Sequence, residues 1–265
     1  YLEVAKQSEE VIRAIAASMN KRASEPAMQK ICRDYMGRLN SADEQILEIG
    51  CGNGAATELI IENLQPAHLI GVDPSARLLE MAADRFKASS RNVNFEIGDA
   101  VATGQETNAF DIVMAHTVYS HLPEPVSALS EAYRVLRPGG RLAVFDGDYA
   151  TNTVALFEGD PLQAAMTATQ RNLINDPYIM RRLPKLAQEA GFEIDSIEAH
   201  GYVQTVAAEY LLSLIERGVT AAESAGDFGS ELSKGFYAEA RRRVEEGKFY
   251  GAILFVSLIA MKPTD

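Results

Sequence analysis

Ile46-Leu47-Glu48-Ile49-Gly50-Cys51-Gly52-Asn53-Gly54-Ala55 runs a short stretch of strand character into three alternating glycines, and a helix-forming stretch, Ala55 to Leu64, follows at once. A strand, a tight turn and a helix N-terminus are packed together. Glycine suits such a turn for two reasons: it takes backbone angles that other residues resist, and it has no side chain to hold a ligand away. The first turn of a helix has unpaired N–H groups, which favour a negatively charged ligand group. The stretch predicts a nucleotide or nucleotide-like cofactor site in an α/β fold.

Gly50-x-Gly52-x-x-Ala55 also fits the loose dinucleotide fingerprint, so an NAD-dependent oxidoreductase is one reading. Three features point elsewhere. Glu48 stands two residues before Gly50, where a purely apolar strand is expected. Leu69-Ile70-Gly71-Val72-Asp73 is a second strand ending in an acid, nineteen residues after Gly54. A third strand ends in Gly98-Asp99-Ala100, and Arg134-Val135-Leu136-Arg137-Pro138-Gly139-Gly140 precedes a fifth. This set resembles the class I S-adenosylmethionine (SAM) dependent methyltransferases, with their E/D-x-G-x-G-x-G turn, acid-ended second strand, G-D-A-like third strand end and R-V-L-R-P-G-G stretch. The resemblance spans about residues 20–262. It is closest in type to the methyltransferase type 11 group, with its ubiquinone, menaquinone and natural-product enzymes.

From Ile46 to Phe145, strands at 46–49, 69–73, 93–97, 110–115 and 141–145 alternate with helices at about 55–64, 75–88 and 125–136, with an irregular link at 101–109. Such alternation predicts a parallel sheet with right-handed crossovers and ligands at the carboxyl ends of its strands. Amphipathic helices precede it, over 2–19 (Val4, Val11, Ile12, Ile15, Met19) and 24–39 (Met28, Ile31, Cys32, Tyr35, Met36). Beyond Phe145 the pattern predicts a mostly helical 151–175 that contains Asp160-Pro161, a typical helix entry, a helix over 178–190 closed by Gly191 and a strand over 194–206. Two helices over 207–246 and a last strand over 249–261 follow. Arg241-Arg242-Arg243 reads as a solvated helix face.

The resemblance implies an α/β, Rossmann-like sheet of seven strands, mostly parallel, in the order 3-2-1-4-5-7-6. Its last strand is antiparallel, helices cover both faces, and a helical lid closes the site. The expected organisation is a single domain over 1–265, with a helical cover at 1–40 and a SAM-binding core at 41–150. A helical substrate and lid region at 151–248, including the strand near 194–206, and a final strand at 249–262 complete it.

The formal net charge of −12 would repel a phosphate backbone and argues against a nucleic-acid substrate. Cys32 and Cys51 give no disulfide framework, and the opening residues form no basic-then-apolar leader, so a reduced, cytoplasmic protein is expected. The apolar run Gly251 to Met261 is too short to span a bilayer. The expected partner is a small molecule, the expected assembly a monomer or homodimer, and no metal is expected.

The resemblance implies SAM as cofactor and S-adenosylhomocysteine as product. Gly50, Cys51, Gly52, Asn53 and Gly54 then wrap the cofactor, and Asp73, followed by Pro74 and Ser75, accepts from both ribose hydroxyls, as a carboxylate can. Asp73 also reads as a helix N-cap. Asp99 accepts from the adenine amino group and the Ala100 N–H donates to the ring. Glu48 orients the turn and the methionine amino group, or is purely structural. The Ala115 carbonyl holds the same amino group, Val118 packs near the adenine and His121 makes a structural hydrogen bond. Arg22 meets the SAM carboxylate or is solvated.

His116 would face the acceptor, either as a base or only shaping the pocket. Asp146, Asp148 and Tyr149, at the end of the fifth strand, hold a substrate amine or hydroxyl, or only the loop itself. Tyr119 is a further positioning candidate, and Arg171, Arg181 and Arg182 suit a substrate carboxylate. The expected activity is methyl transfer from SAM to a small molecule by in-line displacement, in secondary metabolism or quinone-like biosynthesis. The alternatives are a non-catalytic SAM-binding or regulatory protein and an NAD-dependent oxidoreductase.

Overall fold

The computed structural model describes residues 7–39 and 43–264. The start of the expected first helix, with Val4, lies outside the described residues, as do residues 40–42 and Asp265. The helices are α1 (Glu9–Ser24), α2 (Pro26–Met36), α3 (Ala55–Leu64), α4 (Ala76–Phe86), α5 (Pro125–Val135), α6 (Leu162–Leu173), α7 (Ile179–Glu189), α8 (Glu209–Ser224) and α9 (Ser230–Glu245). The strands are β1 (Gln45–Ile49), β2 (His68–Asp73), β3 (Val93–Ile97), β4 (Phe110–His116), β5 (Leu136–Thr153), β6 (Glu193–Gln204) and β7 (Gly251–Met261).

They form one sheet in the order β3-β2-β1-β4-β5-β7-β6. β1, β2, β3, β4 and β5 pair in parallel, whereas β7 pairs antiparallel with both β5 and β6, as the resemblance implies. Side chains alternate across a strand, so each central strand feeds two cores. Ile46, Ile112, Met114 and Phe145 pack toward α2, α3, α6 and α8. Leu47, Ile49, Val113, Ala115 and Val144 pack on the other face, toward α5 and α7. The central strands are therefore apolar on both faces, which marks a sheet sandwiched between helices. No helix among the described residues is long and apolar enough to cross a membrane.

Four expectations are corrected. α1 continues to Ser24, so Arg22 sits in its last turn rather than between two helices. The break is set by Pro26, which disfavours helical geometry at Glu25 (φ −67°, ψ 126°). β5 does not end at Phe145: Asp146, Gly147 and Asp148 stay in register with Val256, Phe255 and Leu254 of the long apolar β7. Asp146, Asp148 and Tyr149 are strand residues, and the helical part of 151–175 is confined to α6. Finally, Arg243 is not solvated. It is 7% exposed and holds Asp160 through two hydrogen bonds of 2.6 and 2.8 Å.

Candidate functional site: a cleft and an adjoining chamber

The glycine turn is hung on the end of β2. The N–H groups of Gly50 and Cys51 donate to the Val72 carbonyl at 2.7 and 3.1 Å. Gly50 has φ +68°, and a Cβ there would lie 2.6 Å from Cγ2 of Val118. Only glycine lets the turn at the end of β1 meet the segment after β4 so closely. The buried Cys51 side chain fills the space over Gly71, facing away from the cleft. Asn53 ties the turn to α1, donating to the Ala16 carbonyl at 3.2 Å and to Asn20 at 2.8 Å. Gly54 is the left-handed N-cap residue of α3.

Asp73 is fixed by two backbone donors. The Gly52 N–H donates to Oδ2 at 3.0 Å and the Ser75 N–H to Oδ1 at 2.8 Å. Ser75, not Asp73, caps α4, its hydroxyl accepting from the Leu78 N–H at 3.4 Å. Burial pushes the Asp73 carboxyl up to about 6 against the pull of these N–H groups. Each carboxylate oxygen keeps a further lone pair for a ligand hydroxyl. Glu48 is 1% exposed. Its Oε2 accepts from the Thr57 hydroxyl at 2.6 Å, whereas Oε1 has no hydrogen-bond partner among the described residues. Burial raises its carboxyl to about 7.

These groups surround a cleft of about 600 Å³, open mouth included, at the carboxyl ends of β1, β2 and β4. Of the expected cofactor residues, Gly50, Asp73, Pro74, Asp99, Ala100, Val118 and His121 line it. Asp99 accepts from the Val101 N–H at 3.0 Å. Glu48, Cys51, Gly52, Asn53, Gly54 and Ser75 stand behind the lining and shape it, and Ala115 is buried between β1 and β5. The flat walls are Ile49, Leu78 and Leu122, with Met19 of α1 as cover; these four carry no polar signal in the sequence and read there as ordinary core. Thr117 also lines the cleft and has φ +58°. A β-branched residue in this region costs on the order of 1–3 kcal/mol. Its N–H donates to the Phe145 carbonyl at 2.6 Å, which holds the strained turn in place.

A second, smaller chamber of about 330 Å³, open mouth included, adjoins the cleft. Met19 and His121 line both spaces. Arg22 lines this chamber and not the cleft, its guanidinium 5.9 Å from the Tyr210 ring centre. Tyr149 lines it too, as does Arg217 of α8, which sequence reasoning passed over as one arginine among many.

His116 lines neither space. It lies on the α2 face of β4, 5% exposed, stacked on Phe145 at 4.6 Å with Nδ1 3.2 Å from the Tyr35 hydroxyl. Burial holds its pKa well below the ordinary value. Strand alternation decides this: Ala115 and His116 face opposite sides of the sheet. Asp146 is fully buried and accepts from the N–H and hydroxyl of Ser120 at 2.9 and 3.0 Å and from the Gly147 N–H at 2.8 Å. It fixes the turn that carries His121, and its acceptor sites are directed there. Asp148 pairs with Arg181 at 2.8 Å. Arg171 is exposed and lines neither space, and Arg182 pairs with Asp176. Tyr119 is wholly buried, its hydroxyl without a hydrogen-bond partner among the described residues.

Residues 46–140 match the family described as "Methyltransferase domain". An uncharacterized methyltransferase of Schizosaccharomyces pombe is 34% identical over 44% of this chain and 45% of its own. A demethylmenaquinone methyltransferase of Lactococcus lactis is 33% identical over 40% of this chain and 43% of its own. The chain thus spans under half the length of these curated relatives. Among solved structures, a Haemonchus contortus phosphoethanolamine N-methyltransferase in complex with S-adenosyl-L-methionine superposes with a TM-score of 0.61 at 20% identity, covering 99% of this chain and 59% of that one.

Proposed function

We propose that this chain, which carries a class I S-adenosylmethionine-dependent methyltransferase domain, binds SAM in the cleft and transfers its methyl group to a small molecule in the adjoining chamber. The observation that carries the reading is Asp73: a carboxylate pinned by the Gly52 and Ser75 N–H groups at the cleft wall. It is presented as a two-oxygen acceptor, the shape a ribose diol needs. Pro74, Leu78 and Val118 supply apolar walls for a flat adenine, with Asp99 and the Ala100 N–H at its edge. The orphaned Oε1 of Glu48 suits an ammonium group or a bridging water behind the turn.

Bound SAM would supply a methyl group already activated on a cationic sulfur. The protein's part is then alignment and exclusion of water. α1 does this by laying Met19 across both spaces. Quinone-like or secondary metabolism fits the demethylmenaquinone methyltransferase among the relatives.

The test is calorimetric titration with S-adenosylhomocysteine and NAD. S-adenosylhomocysteine is expected to bind and NAD is not. Asp73→Ala should weaken binding by about 1–3 kcal/mol, the scale of losing charge-assisted hydrogen bonds. NAD binding without S-adenosylhomocysteine binding would overturn the reading. A bound cofactor with no methyl transfer to any acceptor would favour a non-catalytic role.

His116 is assigned no proton transfer. Removal of a general base costs about 10²–10⁴-fold in rate. His116→Gln is expected to lower single-turnover methyl transfer by less than about 10-fold, with the pH profile unchanged, because the ring reaches neither cavity. A rate loss in the general-base range in a folded variant would return His116 to the mechanism.

A further inference from the structure

The two edges of the sheet differ. β3 is five residues long, Asn94 and Glu96 on it are exposed, and Nε2 of Gln105 donates to Glu96 at 2.9 Å. A short, polar edge discourages further pairing. β6 is twelve residues long, and β7 is its only strand neighbour among the described residues. Its register shifts between Ile194 and Ser196, and from Ser196 to Gln204 it is regular. We propose that this edge pairs antiparallel with β6 of a second copy of the chain, about a two-fold axis at His200, joining two sheets into one.

The side chains of the edge select that register. Ile197, Ala199, Gly201 and Val203 lie opposite Leu258, Val256, Leu254 and Ala252 of β7, on the face that carries α5 and α7. Helix α7 leaves them uncovered: all four are exposed, Ile197 by 50% and Val203 by 48%. Directly opposed residues of antiparallel strands share a face. With His200 opposite its own copy, Ile197 meets Val203 of the second copy, twice over, and Ala199 meets Gly201. Such β-branched cross-strand pairs stabilise a sheet. An axis at Glu198 would set two carboxylates against each other, and one at Ala199 would set Ile197 against Gly201. An axis at Gly201 would carry Ile197 past the end of the partner strand.

The other face of the edge is charged, and its charges suit the same axis. His200 lies on this face, with Nε2 2.8 Å from the Ser257 hydroxyl. Burial lowers its pKa, so the two rings nearest the axis are uncharged at neutral pH. α2 runs antiparallel to β6: Glu25, at its start, bears on Tyr202, and Arg38, just past its end, pairs with Glu198. Lys30 and Asp34, one turn apart and 2.6 Å from each other, both bear on His200. Lys30 is on the Glu25 side of this pair, toward the level of Tyr202. The two-fold axis sets Glu198 of the second copy opposite Tyr202, which brings it to the level of Lys30. The same exchange recurs on the other side of the axis. Copies with a formal net charge of −12 repel one another at long range, so a contact between them needs local complementarity of this kind.

Sedimentation velocity on the full chain tests the pairing. Wild type is expected to be dimeric at about 100 μM, a concentration at which an interface of modest size holds. Ile197→Lys and Val203→Lys should each raise the dimer dissociation constant by more than about 10-fold, because lysine on an edge strand blocks pairing. Val126→Lys, at an exposed valine of α5, should leave it unchanged. Thermal unfolding checks that each variant folds. The register is read from cysteines treated with diamide, which is reduced as two thiols give up two electrons and two protons to form one disulfide. Opposed residues of antiparallel strands have Cα atoms about 4.5–5.5 Å apart, within disulfide range. His200→Cys should therefore form a covalent dimer. Ile197→Cys should not, since its two copies would stand about 20 Å apart along the strands. Cys32 and Cys51 are buried and give little background. The proposal is overturned if wild type is monomeric at about 100 μM. It is also overturned if the dimer survives both lysines unchanged, or if His200→Cys does not cross-link. Should the lysine variants fail to fold, the two cysteine variants decide alone.

Discussion

Arg243→Ala is expected to lower the stability of the protein by about 3–5 kcal/mol, the cost of stranding a buried charge. Arg243 of α9 donates from both terminal nitrogens to the two oxygens of Asp160, at 2.6 and 2.8 Å. The side chains are 9% and 0% exposed. Nε donates to Glu239 at 2.8 Å, so the guanidinium is held from two sides. Asp160 also accepts from the N–H groups of Leu156 and Leu162, at 2.9 and 3.0 Å, and so fixes the turn from which α6 starts. The pair thereby ties α9 to the turn before α6, whose far end walls the chamber.

The hydrogen bonds from Arg243, with the backbone N–H groups, hold the Asp160 carboxyl below the usual carboxylate range. A lowered folded-state pKa adds stability that is full above the unfolded value near 4 and fades as pH falls through the folded value. Acidification below about pH 4 should therefore cost the wild type more than it costs Asp160→Asn. Urea unfolding of Arg243→Ala, Asp160→Asn and the double variant checks both points. The double variant should lose less than the sum of the singles, because neither partner is then stranded. A loss under about 1 kcal/mol in Arg243→Ala would place the pair among exposed ion pairs.

This pair was hidden in the sequence because three successive arginines on a helix carry no mark of which one turns inward. Arg241 and Arg242 are 58% and 53% exposed, as a solvated face predicts. Where chemistry and periodicity agree, the sequence is legible: the glycine turn, Asp73 and Asp99 all reach the cleft region, because each ends or follows a strand of one parallel sheet. His116 failed for want of one parity step, since a motif gives position along a strand but not which face the side chain takes. Asp146 and Asp148 stood beyond the expected end of the fifth strand at Phe145. The antiparallel partner β7, more than a hundred residues later, keeps them in the sheet. Arg217 and Thr117 were invisible for different reasons. One depends on the α6–α8 crossing at Gly218, the other on a backbone angle that threonine rarely adopts.

Gly50→Ala should be the most damaging small substitution in the cleft. Two costs add there. The residue sits at φ +68°, where a Cβ costs about 1–2 kcal/mol. The new Cβ would also lie 2.6 Å from Cγ2 and 3.1 Å from Cγ1 of Val118. Forcing such a contact into a packed wall costs about 1–3 kcal/mol more, for a total of roughly 2–5 kcal/mol. Val118 lines the cleft as Gly50 does, so relief of the clash moves one of them out of place. S-adenosylhomocysteine affinity should then fall by more than about 10-fold, which is about 1.4 kcal/mol. Gly104 is the control for backbone strain alone, since it has φ +78° and nothing within 4 Å of a built Cβ. Gly104→Ala is expected to show only the first cost and normal binding. Gly52→Ala should fall between them in stability: its Cβ would meet the tip of Met19 at 2.9 Å, and an unbranched thioether can swing aside. Thermal unfolding and calorimetry on the three variants give the order. Equal losses at Gly50 and Gly104, with binding intact in both, would show that Val118 yields freely and that the close approach of the turn to the segment after β4 does not build the cleft.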